Sequence, residues 1–109
     1  MRTVNFNLGK YKNITGELVL EVPGYRERLK MIKECNFKMT GDGTVKLTTE
    51  TIDSMIKLLD ITEKYFKKID LKCGEIKAKT FEDLESYSEF DALLTEAASS
   101  IINAGKLGK

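Results

Sequence analysis

An α+β fold is predicted, with an N-terminal β-hairpin and short β elements packed against about four α-helices. The C-terminal half is expected to be mainly helical. Three observations carry this expectation. Thr3-Val4-Asn5-Phe6-Asn7-Leu8 alternates polar and apolar residues, the period of a half-buried strand. A second β-rich run, Glu17 to Val22, follows one loop later. From Ser88 to Ile102, Phe90, Leu93, Leu94, Ala97, Ala98, Ile101 and Ile102 all fall on one face of an α-helix. A chain of 109 residues, 41 % of them apolar, suits a single domain, 1–109, with one modest core. Residues 1–49 read as β-rich with one helix, and 50–109 as mainly helical.

The elements follow in order. Val4, Phe6 and Leu8 point inward from the first strand, and Leu18, Leu20 and Val22 from the second, with a polar loop from Gly9 to Gly16 between them. A hairpin alone is marginal in water, so a helix must cover its apolar face. Pro23, the sole proline, suits the first turn of a helix, where its missing N–H costs nothing. That helix, Gly24 to Cys35, places Tyr25, Leu29 and Ile32 on one face and Arg26, Glu27, Lys30, Lys33 and Glu34 toward water. Gly41-Asp42-Gly43 reads as the turn of a small hairpin joining Phe37-Lys38-Met39 to Val45-Lys46-Leu47.

Thr49 is the expected N-cap of a second helix. Ile52, Met55, Ile56, Leu59 and Phe66 form its stripe, and Leu58, Ile61, Tyr65 and Ile69 widen it. So broad a stripe predicts a helix contacted on two sides and central to the core. Lys64, Lys67 and Lys68 would complement the negative end of its dipole. Ile69-Asp70-Leu71-Lys72-Cys73 alternates again up to Gly74, and Ile76-Lys77-Ala78 is a return strand or a loop. Thr80 offers a cap with Asp83 at the capping-box position, for a short helix to about Ser86. Tyr87-Ser88 is the hinge into the final helix, which Ser88 would cap. Gly105 stands where a left-handed C-terminal cap would sit. The face opposite the final stripe carries Glu89, Asp91, Thr95, Glu96, Ser99, Ser100 and Asn103 and is expected to be solvated.

Charged residues make up 32 % of the chain, for a net charge of +1. This balance argues against nucleic acid, whose binders concentrate base on one face. Base and acid are nevertheless segregated. Met1 to Thr49 has nine bases and five acids, whereas Thr80 to Ile102 has six acids and no base. Such a division can neutralise itself within one fold or steer two copies together, so a homo-oligomer is one expected partner. No run approaches a membrane-spanning length, and the first residues lack the apolar core of a signal peptide. Two distant cysteines, Cys35 and Cys73, fit a reducing host cytoplasm as unbridged, buried or half-buried side chains.

Catalytic chemistry is not legible. The chain has no histidine, the usual general base and zinc ligand. Glu82, Asp83 and Glu85 read as partners of a helix dipole rather than as an acid/base pair. Gly41-Asp42-Gly43 lacks the remainder of a phosphate loop or a calcium loop. Lys10-Tyr11-Lys12 interleaves an aromatic with bases, as nucleic-acid binders do, but a polar loop with one tyrosine is the simpler reading. No enzyme activity, cofactor or metal is expected.

The organisation of the whole chain resembles that of the small tail assembly chaperones of long-tailed bacteriophages and prophages. A β-hairpin, a helix and a β-rich connection precede helices rich in acid. The nearest local likeness runs from Phe81-Glu82-Asp83-Leu84 through Glu89-Phe90-Asp91-Ala92-Leu93-Leu94-Thr95-Glu96 to Ile101-Ile102-Asn103-Ala104-Gly105 and Lys106-Leu107-Gly108-Lys109. The resemblance implies a protein that is not an enzyme, that keeps the tape-measure protein soluble and that promotes assembly of tail subunits around it. Many members have a longer form made by ribosomal frameshifting, and Gly105-Lys106 and Gly108-Lys109 lie where a slippery codon run would fall. A small structural or connector protein of the particle, or a protein-binding regulatory adaptor, is the alternative expectation. A client holder needs an apolar surface that accepts amphipathic helices. Phe90, Leu94, Ile101, Ile102 and Leu107 are therefore the candidate partner-binding residues. The competing expectation is that the same stripe is core, since burying each large side chain is worth roughly 1.5–3 kcal/mol.

Overall fold

The structure, a computed structural model, describes residues 2–39, 45–46 and 52–103. Its elements run β1 (Arg2–Asn5), β2 (Ile14–Val22), α1 (Tyr25–Cys35), β3 (Lys38–Met39), β4 (Val45–Lys46) and α2 (Ile52–Thr62). After a 3-10 turn at Glu63–Tyr65 come β5 (Phe66–Cys73), β6 (Ile76–Ala78) and α3 (Phe81–Ser86). A second 3-10 turn, Ser88–Phe90, leads into α4 (Asp91–Ile102). The main sheet is antiparallel, in the order β1-β2-β5-β6, and β3 pairs separately with β4. This is the expected α+β architecture, with the N-terminal hairpin pairing Arg2 with Val22 and Asn5 with Val19. The sheet draws β5 and β6 from the second half of the chain, whose other described elements are helical, as expected.

One face of the sheet packs against the helices and the other meets water, the usual state of an antiparallel sheet. Ile14, Leu18, Leu20 and Val22 of β2 are buried, with Leu71 of β5 and Ala78 of β6. Val4, Phe6 and Leu8 pack against this core from the first strand and its loop, as the alternation predicts. The outward positions are polar except for the half-buried Val19, with Glu17 opposite Asp70 and Lys72 opposite Lys77. Gly16 lies opposite Leu71 at φ +120°, where a Cβ would overlap the Asp70 carbonyl oxygen and stand 3.1 Å from the Leu71 Cα. Only glycine permits this close strand approach. At the other end of β5, Val19 faces Lys68 while Leu20 faces Phe66, so Lys67 is the extra residue of a β-bulge.

Several expectations are corrected. The second helix does not run on to Lys68 but ends at Thr62, and Phe66 and Ile69 belong to β5. Lys67 and Lys68 therefore do not serve a helix dipole. They reach across the sheet to Glu21 (3.5 Å) and Glu17 (2.6 Å). Pairing with β2 supplies partners for a backbone that would otherwise have continued the helix. Pro23 lies one residue before the N-cap of α1, which is Gly24. Ser88 opens the 3-10 turn, and no side-chain cap bonds the start of α4. Thr80 does cap α3: its Oγ1 accepts from the Asp83 N–H (3.1 Å) and the Asp83 carboxylate accepts from the Thr80 N–H (3.2 Å). The proposed caps at Thr49 and Gly105 and the turn at Gly41-Asp42-Gly43 lie outside the described residues.

Asn36 supplies a helix stop that the sequence reading did not identify. It adopts the left-handed region at φ 61°, its N–H donates to the Lys33 carbonyl, and the Phe37 N–H donates to the Ile32 carbonyl. That bond pair is a Schellman motif, and it turns the buried Phe37 back onto the core beside Ile32.

The central helix is α4, not α2. It packs against α1, α2, α3 and β2, and its second half is enclosed on every side. Ser99, Ser100 and Asn103, expected in water, are buried. Each side chain bonds its own helix: Ser99 Oγ to the Thr95 carbonyl (2.9 Å), Ser100 Oγ to the Ala97 carbonyl (2.7 Å) and Asn103 Nδ2 to the Ser99 carbonyl (3.1 Å). Small polar groups satisfied in this way enter a core without the desolvation cost of an unpaired group.

Candidate protein-binding surface

The expected partner-binding residues are core residues. Phe90, Leu94, Ile101 and Ile102 are all buried within the lone chain, in one cluster with Leu18, Leu20, Leu58 and Leu84. Leu107 lies outside the described residues. The expectation of a partner-facing terminal stripe is thus corrected at four of its five positions. The reason is the enclosure of α4: the stripe meets the sheet and the other helices, and among the described residues none of it is left for a second molecule.

Four of the large apolar side chains that the fold leaves in water lie on α1 and α2, and a fifth, Tyr87 (42 % exposed), follows α3. Tyr25 is 62 % exposed and Leu29 38 %, one helical turn apart on α1. Ile52 is 78 % exposed and Ile56 53 %, again one turn apart, on α2. Single exposed hydrophobic residues are ordinary, but paired rows on two helices that pack together are a candidate contact surface. On α1 the buried face is Met31, Ile32 and Cys35, so the face expected from Tyr25, Leu29 and Ile32 splits, with only Ile32 inside. On α2 only Leu58 and Thr62 are buried, and the Thr62 hydroxyl donates to the Leu58 carbonyl (2.7 Å). The breadth of the second stripe was the signal for this surface. It predicts contact on two sides; within the chain α1 and α4 both pack against α2, and Ile52 and Ile56 remain outside those contacts.

Charge borders these rows unevenly. Continuing the α1 row from Tyr25 and Leu29 at the same four-residue step leads to Lys33, and the adjoining row holds Arg26 and Lys30. Glu27 and Glu34, seven residues apart, share a different face. On α2 the row from Ile52 and Ile56 continues to Asp60, and the adjoining row holds Asp53 and Lys57. The Arg28 guanidinium turns back over the Tyr25 ring (5.6 Å) and donates to the Pro23 carbonyl (2.9 Å).

Two other groups of side chains have structural roles. The loop between β1 and β2 is fastened to α4, where the Glu96 carboxylate receives the Lys10 ammonium and the Tyr11 hydroxyl (2.6 Å). Burial first, and the Glu96 carboxylate second, push the Tyr11 hydroxyl well above the usual tyrosine range. Burial opposes the charge on Glu96, but the hydrogen bonds from Lys10 and Tyr11 outweigh it and hold the carboxyl below its ordinary value. The Lys10-Tyr11 pair thus clamps a loop. An open depression of about 440 Å³ lies between the end of α2 and the start of α3, over Phe66 and Phe81, whose rings meet edge to face at 5.0 Å. Its Lys67 and Lys79 are already paired with Glu21 and Asp70.

Cys35 and Cys73 are free thiols, and burial raises the Cys35 thiol to about 11. Among the described residues no group of three or more Cys, Asp or Glu could hold a metal, and no helix is long and apolar enough to cross a membrane. No family model, curated protein or solved structure matches the chain.

Proposed function

We propose that this chain is a non-catalytic protein-binding factor of phage tail morphogenesis, holding a tape-measure-like helical protein soluble while tail subunits assemble. The observation that carries the protein-binding part is the apolar surface of Tyr25, Leu29, Ile52 and Ile56 on α1 and α2. Rows of this kind accept the apolar face of an amphipathic helix, and the surrounding charge keeps the unoccupied protein dispersed. The organisation of hairpin, helix, β connection and acidic helices supports the tail-assembly part. The client surface in this reading is α1 and α2, because the terminal stripe is committed to the core.

Co-expression tests the reading. The gene is expected to lie between a major tail protein gene and a very long tape-measure gene, and the product of that long gene is the client. The wild-type chain should keep the client in the supernatant. The Ile52→Glu, Ile56→Glu double variant should fold and leave the client in the pellet. A double variant that holds the client as well as wild type removes α1 and α2 as the client surface. Recovery of the chain in stoichiometric amounts from purified particles would instead make it a structural component.

A further inference from the structure

We infer that, when no client is bound, the exposed face is closed by a second copy of this chain, with α1 of each protomer against α2 of the other. The inference rests on the reading of that face as a protein-binding surface and names its resting occupant.

The exposed apolar row of α1 is bordered by base, at Arg26, Lys30 and Lys33, and that of α2 mainly by acid, at Asp53 and Asp60, with Lys57 the one base beside them. Arg26, Lys33, Asp53 and Asp60 are exposed and form no ion pair with another described residue, while Lys30 pairs with Glu27 at 3.3 Å. One chain thus carries both halves of a complementary pair, each flanking two large apolar side chains. Pairing α1 with α1 of a second copy would set base against base, and pairing α2 with α2 would set acid against acid. Both arrangements cost energy in a desolvating interface. Pairing α1 with α2 brings opposite signs together and covers Tyr25 and Leu29 with Ile52 and Ile56. A twofold axis makes this contact twice and leaves neither row open, which is the commonest closed symmetry. A uniformly acidic or uniformly basic helix could match only one of the two rows, so the second copy is the better fit.

The test is a charge exchange on the full chain, read by sedimentation equilibrium. The wild type should show a monomer–dimer equilibrium. Arg26→Glu with Lys33→Glu, and separately Asp53→Lys with Asp60→Lys, should each weaken the homodimer at least tenfold. Mixing the two variants should restore a dimer, now mixed, because both contacts again join opposite signs. Ile56→Glu should give a monomer, and Ile52→Lys should do the same; their melting curves should match that of wild type, since both side chains lie in water. A wild type that stays monomeric at the highest attainable concentration overturns the inference. So does a mixture of charge variants that sediments no differently from its parts. If the wild type is monomeric yet Ile56→Glu abolishes client holding, the inference fails and the proposed function stands. If Ile56→Glu changes neither association nor client holding, both fail.

Discussion

Two isoleucines on two helices separate core from surface, and the same substitution tests both. Ile101 on α4 is fully buried, whereas Ile56 on α2 is 53 % exposed. Replacing a buried isoleucine with alanine removes about three carbons' worth of transfer free energy and leaves a cavity that the neighbours fill only partly, for a cost of about 2–5 kcal/mol. At Ile101 the neighbours are the sheet and the other helices, all held by their own pairing, so collapse into the gap is restricted and the upper part of that range applies. Native stability for a domain of this size is about 5–15 kcal/mol, so Ile101→Ala should remove a large share of it. With a urea slope of about 1–3 kcal/mol/M, the midpoint should fall by about 1–5 M. In Ile56→Ala only about half the side chain is withdrawn from water, and alanine recovers part of the loss through helix propensity, leaving a net cost of roughly 1 kcal/mol or less. Urea unfolding followed by circular dichroism measures both variants. Client holding, assayed beside it, should follow the opposite order, with Ile56→Ala impaired and Ile101→Ala near wild type at temperatures where it is folded. An Ile101→Ala protein that loses less than about 1 kcal/mol, with an unchanged urea slope and a lost client, would refute the burial argument and restore the terminal stripe as the partner surface.

Gly16→Ala should be among the most damaging substitutions in the sheet. It forces a side chain into the left-handed half of φ space and onto the backbone of β5, and should cost about 3 kcal/mol or more, seen as a lowered urea midpoint and faster amide exchange in β2 and β5. The clamp on Glu96 sets the direction of two pH effects. Because the folded-state carboxyl is depressed, its stabilisation is complete above the unfolded value, about 4.3, and is lost as pH falls through the folded value. Melting temperature should therefore drop on acidification below about pH 4, and Glu96→Gln should flatten that part of the profile; an unchanged slope would exclude the clamp as its source. Because the Tyr11 hydroxyl is raised, its contribution is complete below about pH 10 and is lost as pH rises beyond it, and Tyr11→Phe should remove the alkaline loss.

Local pattern was enough wherever one element sees one environment. The alternation from Thr3 to Leu8 and from Leu18 to Val22 identified the inward side chains, and the Thr80–Asp83 box located a helix start, because strand period and capping depend on residues a few positions apart. The terminal stripe was also legible as a helix. Its destination was not, because a stripe states that something covers it and leaves open what does. The boundary at Thr62 failed for a different reason. Tyr65, Phe66 and Ile69 continue the helical spacing without a glycine or proline to stop it, and what ends the helix is the pairing of Phe66 and Lys68 with Leu20 and Val19, more than forty residues earlier. Ser99, Ser100 and Asn103 misled in the same manner. Their polarity reads as solvent, yet bonds to carbonyls three or four residues back let them be buried.

These errors share a direction that bears on the surface. Apolar side chains on a helix have two uses in one small domain, internal packing and external contact, and the number of helices touching each face decides between them. The helix with the narrower stripe, α4, is surrounded by three helices and a strand, so its stripe and much of its polar face are consumed by the core. The helix with the broader stripe, α2, has its buried positions filled by Leu58 and Thr62, so Ile52 and Ile56 are left over. Stripe width in excess of the available intramolecular contacts is the feature on which the proposed partner surface rests. The excess lies on α2, whose border is mainly acidic, beside α1, whose border is basic, so the proposed occupant would have to meet both signs.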